Sequence, residues 1–163
     1  MNGQTVQLNT EGLQVVELPI NLLETLLNIL TNPNVVFLLL AVGTQAILIE
    51  ITNPGAWIPG FVGAVSLALA FYGMGVLSVN WFGIVFIALA FVLFVLDIKT
   101  PTHGALTIAG AGSLKVGALV LFNSPGTPDF FRVSVPLVVV TSGATALGFA
   151  VLLAFALRAQ RRP

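Results

Sequence analysis

Five apolar stretches, at 35–51, 56–77, 81–96, 104–122 and 133–157, set the terms for any fold this chain can adopt. Each comes near the roughly 20 residues that an α-helix needs to cross about 30 Å of hydrocarbon. Only backbone satisfied within a helix survives in lipid, so even the strand-like run "VPLVVV" (135–140) reads as helix. Composition agrees. Of the 163 residues, 57% are hydrophobic and 7% charged, whereas a soluble domain keeps about a quarter of its residues charged. The fold class expected is an all-α membrane protein, a polytopic bundle of about five transmembrane helices with the lipid bilayer as its solvent.

The breaks between spans are short. "SVN" (78–80) reads as a tight helix hairpin, and "TNPG" (52–55) and "KTPTH" (99–103) as Pro-marked turns. "NSPGTPDFFR" (123–132) is a longer polar loop. Trp57, Trp81, Phe130 and Phe131 fall at span ends, where an aromatic belt is expected. Arg158, Arg161 and Arg162 follow the last span, and with five spans Lys99 lies on the same side. The positive-inside rule then places the C-terminus in the cytoplasm and the N-terminus outside, in the plasma membrane. The net charge is zero, so nucleic acid is not an expected partner. No cysteine is present, which excludes disulfides and thiolate metal sites. The polar start, "MNGQTVQLNTEG", is not a secretory signal.

An internal repeat is legible. "LIEITNPGA" (48–56) and "VLDIKTPTHGA" (95–105) each end an apolar helix with a carboxylate, Glu50 or Asp97, followed by Ile, a Thr, a Pro four residues after the acid and a Gly-Ala opening to the next helix. Gly63-Ala64 is echoed by Gly112-Ser113, which suggests two helix hairpins repeated about 49 residues apart, plus one further helix. Two spans per copy keep both copies in one orientation. Gly60, Gly63, Gly110, Gly112 and Gly117 are the expected points of close helix packing.

Ahead of the spans, residues 18–33 read as an amphipathic interfacial helix. Asn21, Glu24, Thr25 and Asn28 form one stripe, and Leu22, Leu23, Leu26, Leu27 and Leu30 the other face. Pro19 suits its first turn and Asn32-Pro33 its end. Residues 4–17 read as two short strands about "NTEG". A lone hairpin is marginal in water, so these belong to a larger unit.

Little supports catalysis. One His and one Asp in "DIKTPTHGALTIAG" (97–110) supply two ligands at most, so no metal or cofactor is expected. Ser113 and Lys115 are two apart on a helix and face nearly opposite ways. "TSGA" (141–144) resembles the G-x-S-G of rhomboid proteases only faintly, lacking its leading Gly, and His103 sits at a membrane edge. No catalytic residue is assigned. A carboxylate at a helix C-terminus opposes the macrodipole and must find donors. The expectation is that Glu50 and Asp97 brace the turns around Pro54, Gly55, Pro101, His103 and Gly104, by accepting from backbone N–H groups near residues 55–57 or 104–106. The alternative is a small transporter or channel subunit in which Glu50, Asp97 and Lys115 line a path. Lys115 lies about eleven residues into the fourth span, roughly 16 Å deep at 1.5 Å per residue.

Three stretches, "NLLETLLNILTNPNVVFLLL", "IEITNPGAWIPGFVGAVSLALAFYGMGVLSVNWFG" and "DIKTPTHGALTIAGAGSL", resemble the membrane region of NfeD-type proteins, long membrane-bound serine proteases of the ClpP class. The resemblance covers essentially the whole chain. It implies residues 1–17 as the remnant of an upstream ClpP-like domain, 18–33 as the interfacial helix, 34–157 as the bundle and 158–163 as a basic cytoplasmic tail. Full-length members resemble a ClpP-like domain, this region and a small OB-type barrel in series. The family's catalytic Ser and Lys have no counterpart here. The resemblance implies a non-catalytic anchoring and assembly module, a homo-oligomer, and a stomatin-like (SPFH) partner in membrane quality control. Lys115 departs from the family pattern, where an apolar residue is expected.

Overall fold

The computed structural model describes residues 21–55, 57–100 and 102–160. Residues 1–17 and Pro101 lie outside that set, as does Pro19. The described residues fold into six α-helices and a short 3₁₀ turn: α1 (Leu22–Leu30), α2 (Pro33–Thr52), α3 (Trp57–Val76), α4 (Phe82–Lys99), α5 (Ala105–Phe122), the turn Asp129–Phe131, and α6 (Val135–Gln160). Helices α2 to α6 are each long and apolar enough to cross a membrane. The basic tail expected from residue 158 begins inside α6.

Local chemistry explains the breaks. Asn21 opens α1, and its backbone N–H donates to the Glu24 carboxylate at 3.3 Å. Asn32 caps α2: its side chain accepts from the Asn34 N–H at 2.9 Å, and Pro33 fills the first helical position. The Asn80 side chain accepts from the Phe82 N–H at 3.1 Å to start α4. Asn123 organises the α5–α6 loop from both ends of its amide. Its Oδ1 accepts from the Val133 N–H at 2.8 Å and its Nδ2 donates to the Val133 carbonyl at 3.1 Å. Asn123→Ala removes both bonds and is expected to lower stability by about 1–2 kcal/mol. Chemical denaturation in detergent measures it, with Pro125→Ala, at an exposed position of the same loop, as the neighbour control.

Packing follows chain order. Helices α2 and α3 form one hairpin and α4 and α5 the other; α2 touches α4, and α6 packs on α5 and α2. The core holds Phe37, Leu48, Phe94, Leu114, Phe122 and Val138, with the Phe94 and Phe149 rings 5.1 Å apart between α4 and α6. Outward-facing residues are as apolar as the core: Phe82 is 74% exposed and Leu147 69%. Such a surface is stable against lipid and not against water. Only Leu30 of α1 is buried, while Leu22, Leu23, Leu26, Leu27 and Ile29 stay exposed.

The hairpins repeat, but in a different register from the sequence reading. A Cβ on Gly63 would lie 3.1 Å from the Gly43 carbonyl and 2.9 Å from the Ile47 side chain; one on Gly110 would lie 2.9 Å from the Phe94 ring. Gly63 to Gly110, Ile47 to Phe94 and Glu50 to Asp97 are all steps of 47 residues (97 minus 50), not about 49. Gly110 therefore takes the place expected for Gly112, whose Cβ would meet open space. Gly117 does pack closely, at 3.0 Å from the Gly83 carbonyl, and Gly60 rests on the Glu50 side chain. Gly43, Gly73 and Gly83 are close-packing points that hydropathy does not single out. A Cβ on Gly83 would sit 2.5 Å from the backbone of Leu121.

Candidate functional site

The polar chemistry inside the bundle concentrates where α4 turns into α5. Helix α4 ends at Lys99, and the Thr100 N–H and hydroxyl both donate to the Leu96 carbonyl, at 2.9 and 2.6 Å. The turn then passes through two left-handed residues, His103 (φ +54°) and Gly104 (φ +90°). Histidine is among the non-glycine residues enriched there, and Gly104 meets no steric obstacle. His103 is exposed.

Gly104 is the N-cap of α5 and has no side chain with which to cap it. Asp97 supplies the missing acceptor from the preceding helix. Its carboxylate, 4% exposed, accepts from the Thr107 N–H at 3.0 Å, and also from the hydroxyls of Thr107 and Thr102. Thr107 is the third residue of α5, the position whose N–H an N-cap side chain normally satisfies. The negative charge also lies at the positive end of the α5 dipole. The backbone donor is thus one residue beyond the expected 104–106, and two hydroxyls join it. Sequence reasoning passes over Thr102 and Thr107 as site residues. The signal for Thr107 is its place three residues after a glycine that cannot cap for itself.

The first hairpin holds the same position differently. Glu50 sits near the end of α2, its side chain 3.2–3.4 Å from where a Cβ on Gly60 would be. Its Oε2 is buried with no hydrogen-bond partner, and none of the donors expected near residues 55–57 reaches it among the described residues. At a step of 47, Gly60 stands where Thr107 does and Gly55 where Thr102 does, so both hydroxyls are missing. Gly55 is left-handed (φ +111°), and Pro54 is exposed.

The remaining polar groups do not converge. Ser113 donates across the helix pair to the Phe86 carbonyl at 2.7 Å. Lys115 is exposed on α5, eight residues beyond Thr107, about 12 Å along the helix. Asp97, Lys115 and Glu50 are therefore not brought together as one path. Ser142 and Thr145 of α6 are buried, and their hydroxyls have no partner among the described residues.

Membrane-length helices built as two hairpins on one plan, with a polar brace buried at one turn, define a polytopic helical membrane protein. The NfeD integral membrane domain matches residues 34–157, and the chain belongs to that family. It is 36% identical over 122 residues to the membrane-bound protease PH1510 of Pyrococcus horikoshii, an alignment covering 75% of this chain and 28% of that protein. The chain thus spans less than a third of the length of that curated relative. No solved structure matches it.

Proposed function

We propose that this chain is a non-catalytic anchoring and assembly module of an NfeD-type membrane-bound serine protease of the ClpP class. In this reading it homo-oligomerises and works with a stomatin-like (SPFH) partner in membrane protein quality control. It lies in the plasma membrane, N-terminus outside and C-terminus cytoplasmic. Glu50 and Asp97 belong to its turns, and the packing glycines to its helix contacts. The observation that carries the reading is the use made of the hydroxyls at the α4–α5 pair. Thr102 and Thr107 donate to Asp97, and Ser113 to a backbone carbonyl. These are bonds that hold helices together, not a nucleophile beside its base. Kinship to a protein named as a protease supports the wider assignment.

The purified chain is expected to leave both a casein-type substrate and a stomatin-tail peptide uncut, as read by gel and mass spectrometry over hours. Cleavage that follows the chain through purification would overturn the reading. Co-purification with a stomatin-like protein, lost on deleting residues 17–34, tests the partnership separately.

A further inference from the structure

Lys115 is the one charged residue of α5, and the fold gives it no role among the described residues. It lies ten residues after Ala105 and seven before Phe122, about 15 and 10 Å from the two ends of the helix. Its side chain is exposed, on the same face as Ile108 (75% exposed) and the exposed Gly112, seven and three residues earlier. A Cβ on Gly112 would meet nothing within 4 Å, so a neighbouring backbone can come close beside the lysine. Among the described residues the single ion pair joins Arg132 to Asp129, in the α5–α6 loop, and Lys115 has no acid. A charge is expensive at mid-bilayer and normally faces a partner. The equivalent residue of the first hairpin, one step of 47 earlier, is Ala68.

We propose that this α5 face is a docking surface for a transmembrane helix of a different protein, one that carries a carboxylate near the bilayer midplane. Charge selects that occupant over a second copy of this chain. Copies inserted in one orientation meet depth for depth. The described acids lie elsewhere: Glu50 and Asp97 near one end of the bundle, Glu24 and Asp129 near the other. None lies at the depth of Lys115, and Asp97 is already engaged by Thr102 and Thr107. The proposal stands apart from the protease and stomatin readings, since it rests on Lys115 and the space beside it.

The test reconstitutes the full chain in phosphatidylcholine vesicles with a synthetic Leu/Ala transmembrane peptide bearing one central Asp, and reads association by energy transfer. The central-Asp peptide is expected to bind about tenfold more tightly than its all-apolar counterpart. Lys115→Arg should keep that gain and Lys115→Leu should lose it. Gly112→Leu, which fills the open space without touching the core, should lose it too. Binding unchanged in Lys115→Leu would overturn the proposal. So would binding unchanged in Gly112→Leu, which would leave the lysine paired off this face or drawn to lipid headgroups. Self-cross-linking of Gly112→Cys copies would put a second copy on the face and also overturn it. A lower melting temperature for Lys115→Leu would mean that the lysine already has a partner within its own chain, with the same consequence.

Discussion

Gly83→Val is expected to take apart the α4–α5 hairpin. The first carbon of any side chain at residue 83 falls 2.5 Å from the N, Cα and Cβ of Leu121. Those are largely backbone atoms of the facing helix, so no rotamer change can relieve the clash. The helices must separate, and the Asn80 N–H bond to the Leu121 carbonyl, 2.9 Å long, lies at that crossing. Overpacking typically costs about 1–3 kcal/mol, and a backbone-to-backbone clash belongs at or above the upper end. Gly112→Val, on the same hairpin but facing open space, should stay within about 0.5 kcal/mol of wild type. Unfolding by titrated denaturing detergent, followed by circular dichroism, compares the two. Equal stability would mean that the helices do not meet at Gly83.

The second large effect is at Asp97. Removing its carboxylate in Asp97→Ala leaves three donors without that acceptor: the buried Thr107 N–H and hydroxyl, and the half-buried hydroxyl of Thr102. The loss should be about 3 kcal/mol, because each stranded group keeps its desolvation penalty. Asp97→Asn keeps one acceptor oxygen but turns an amide toward donors, and should fall between. Glu50→Gln should change stability by less than about 1 kcal/mol, since no donor among the described residues reaches the Glu50 Oε2. Hydrogen exchange at the Thr107 amide gives a local readout: it should speed up in Asp97→Ala and not in Glu50→Gln. The reverse ranking would assign the brace to the wrong hairpin.

The contrast between these two acids shows where sequence reasoning reaches and where it stops. The spans are legible because hydropathy and the Pro, Gly and Asn breaks coincide; the stretch at 104–122 and helix Ala105–Phe122 differ by one residue. Helix α4 runs on to Lys99, past the apolar limit at 96, because a cation in the last turn suits the dipole. The repeat is visible, but the echo of Gly63-Ala64 in Gly112-Ser113 misplaces its step. Which glycine meets a neighbour depends on the rotation of each helix about its axis, and composition does not carry that angle. Glu50 and Asp97 look equivalent because their flanks match. They differ in residues ten positions on, Gly60 against Thr107, where a hydroxyl is present in one turn and absent in the other.

The bond from the Ser134 N–H to the Asn34 side-chain oxygen, 2.7 Å long, joins residues 100 positions apart at the starts of α6 and α2. Each hairpin, by contrast, closes over a handful of turn residues. Loop closure favours such local pairs, so the two hairpins can form as separate units during insertion. The Asn34–Ser134 link must wait for α6 and for the meeting of both hairpins. It works as a latch, whose formation marks the moment when three independently inserted pieces become one body.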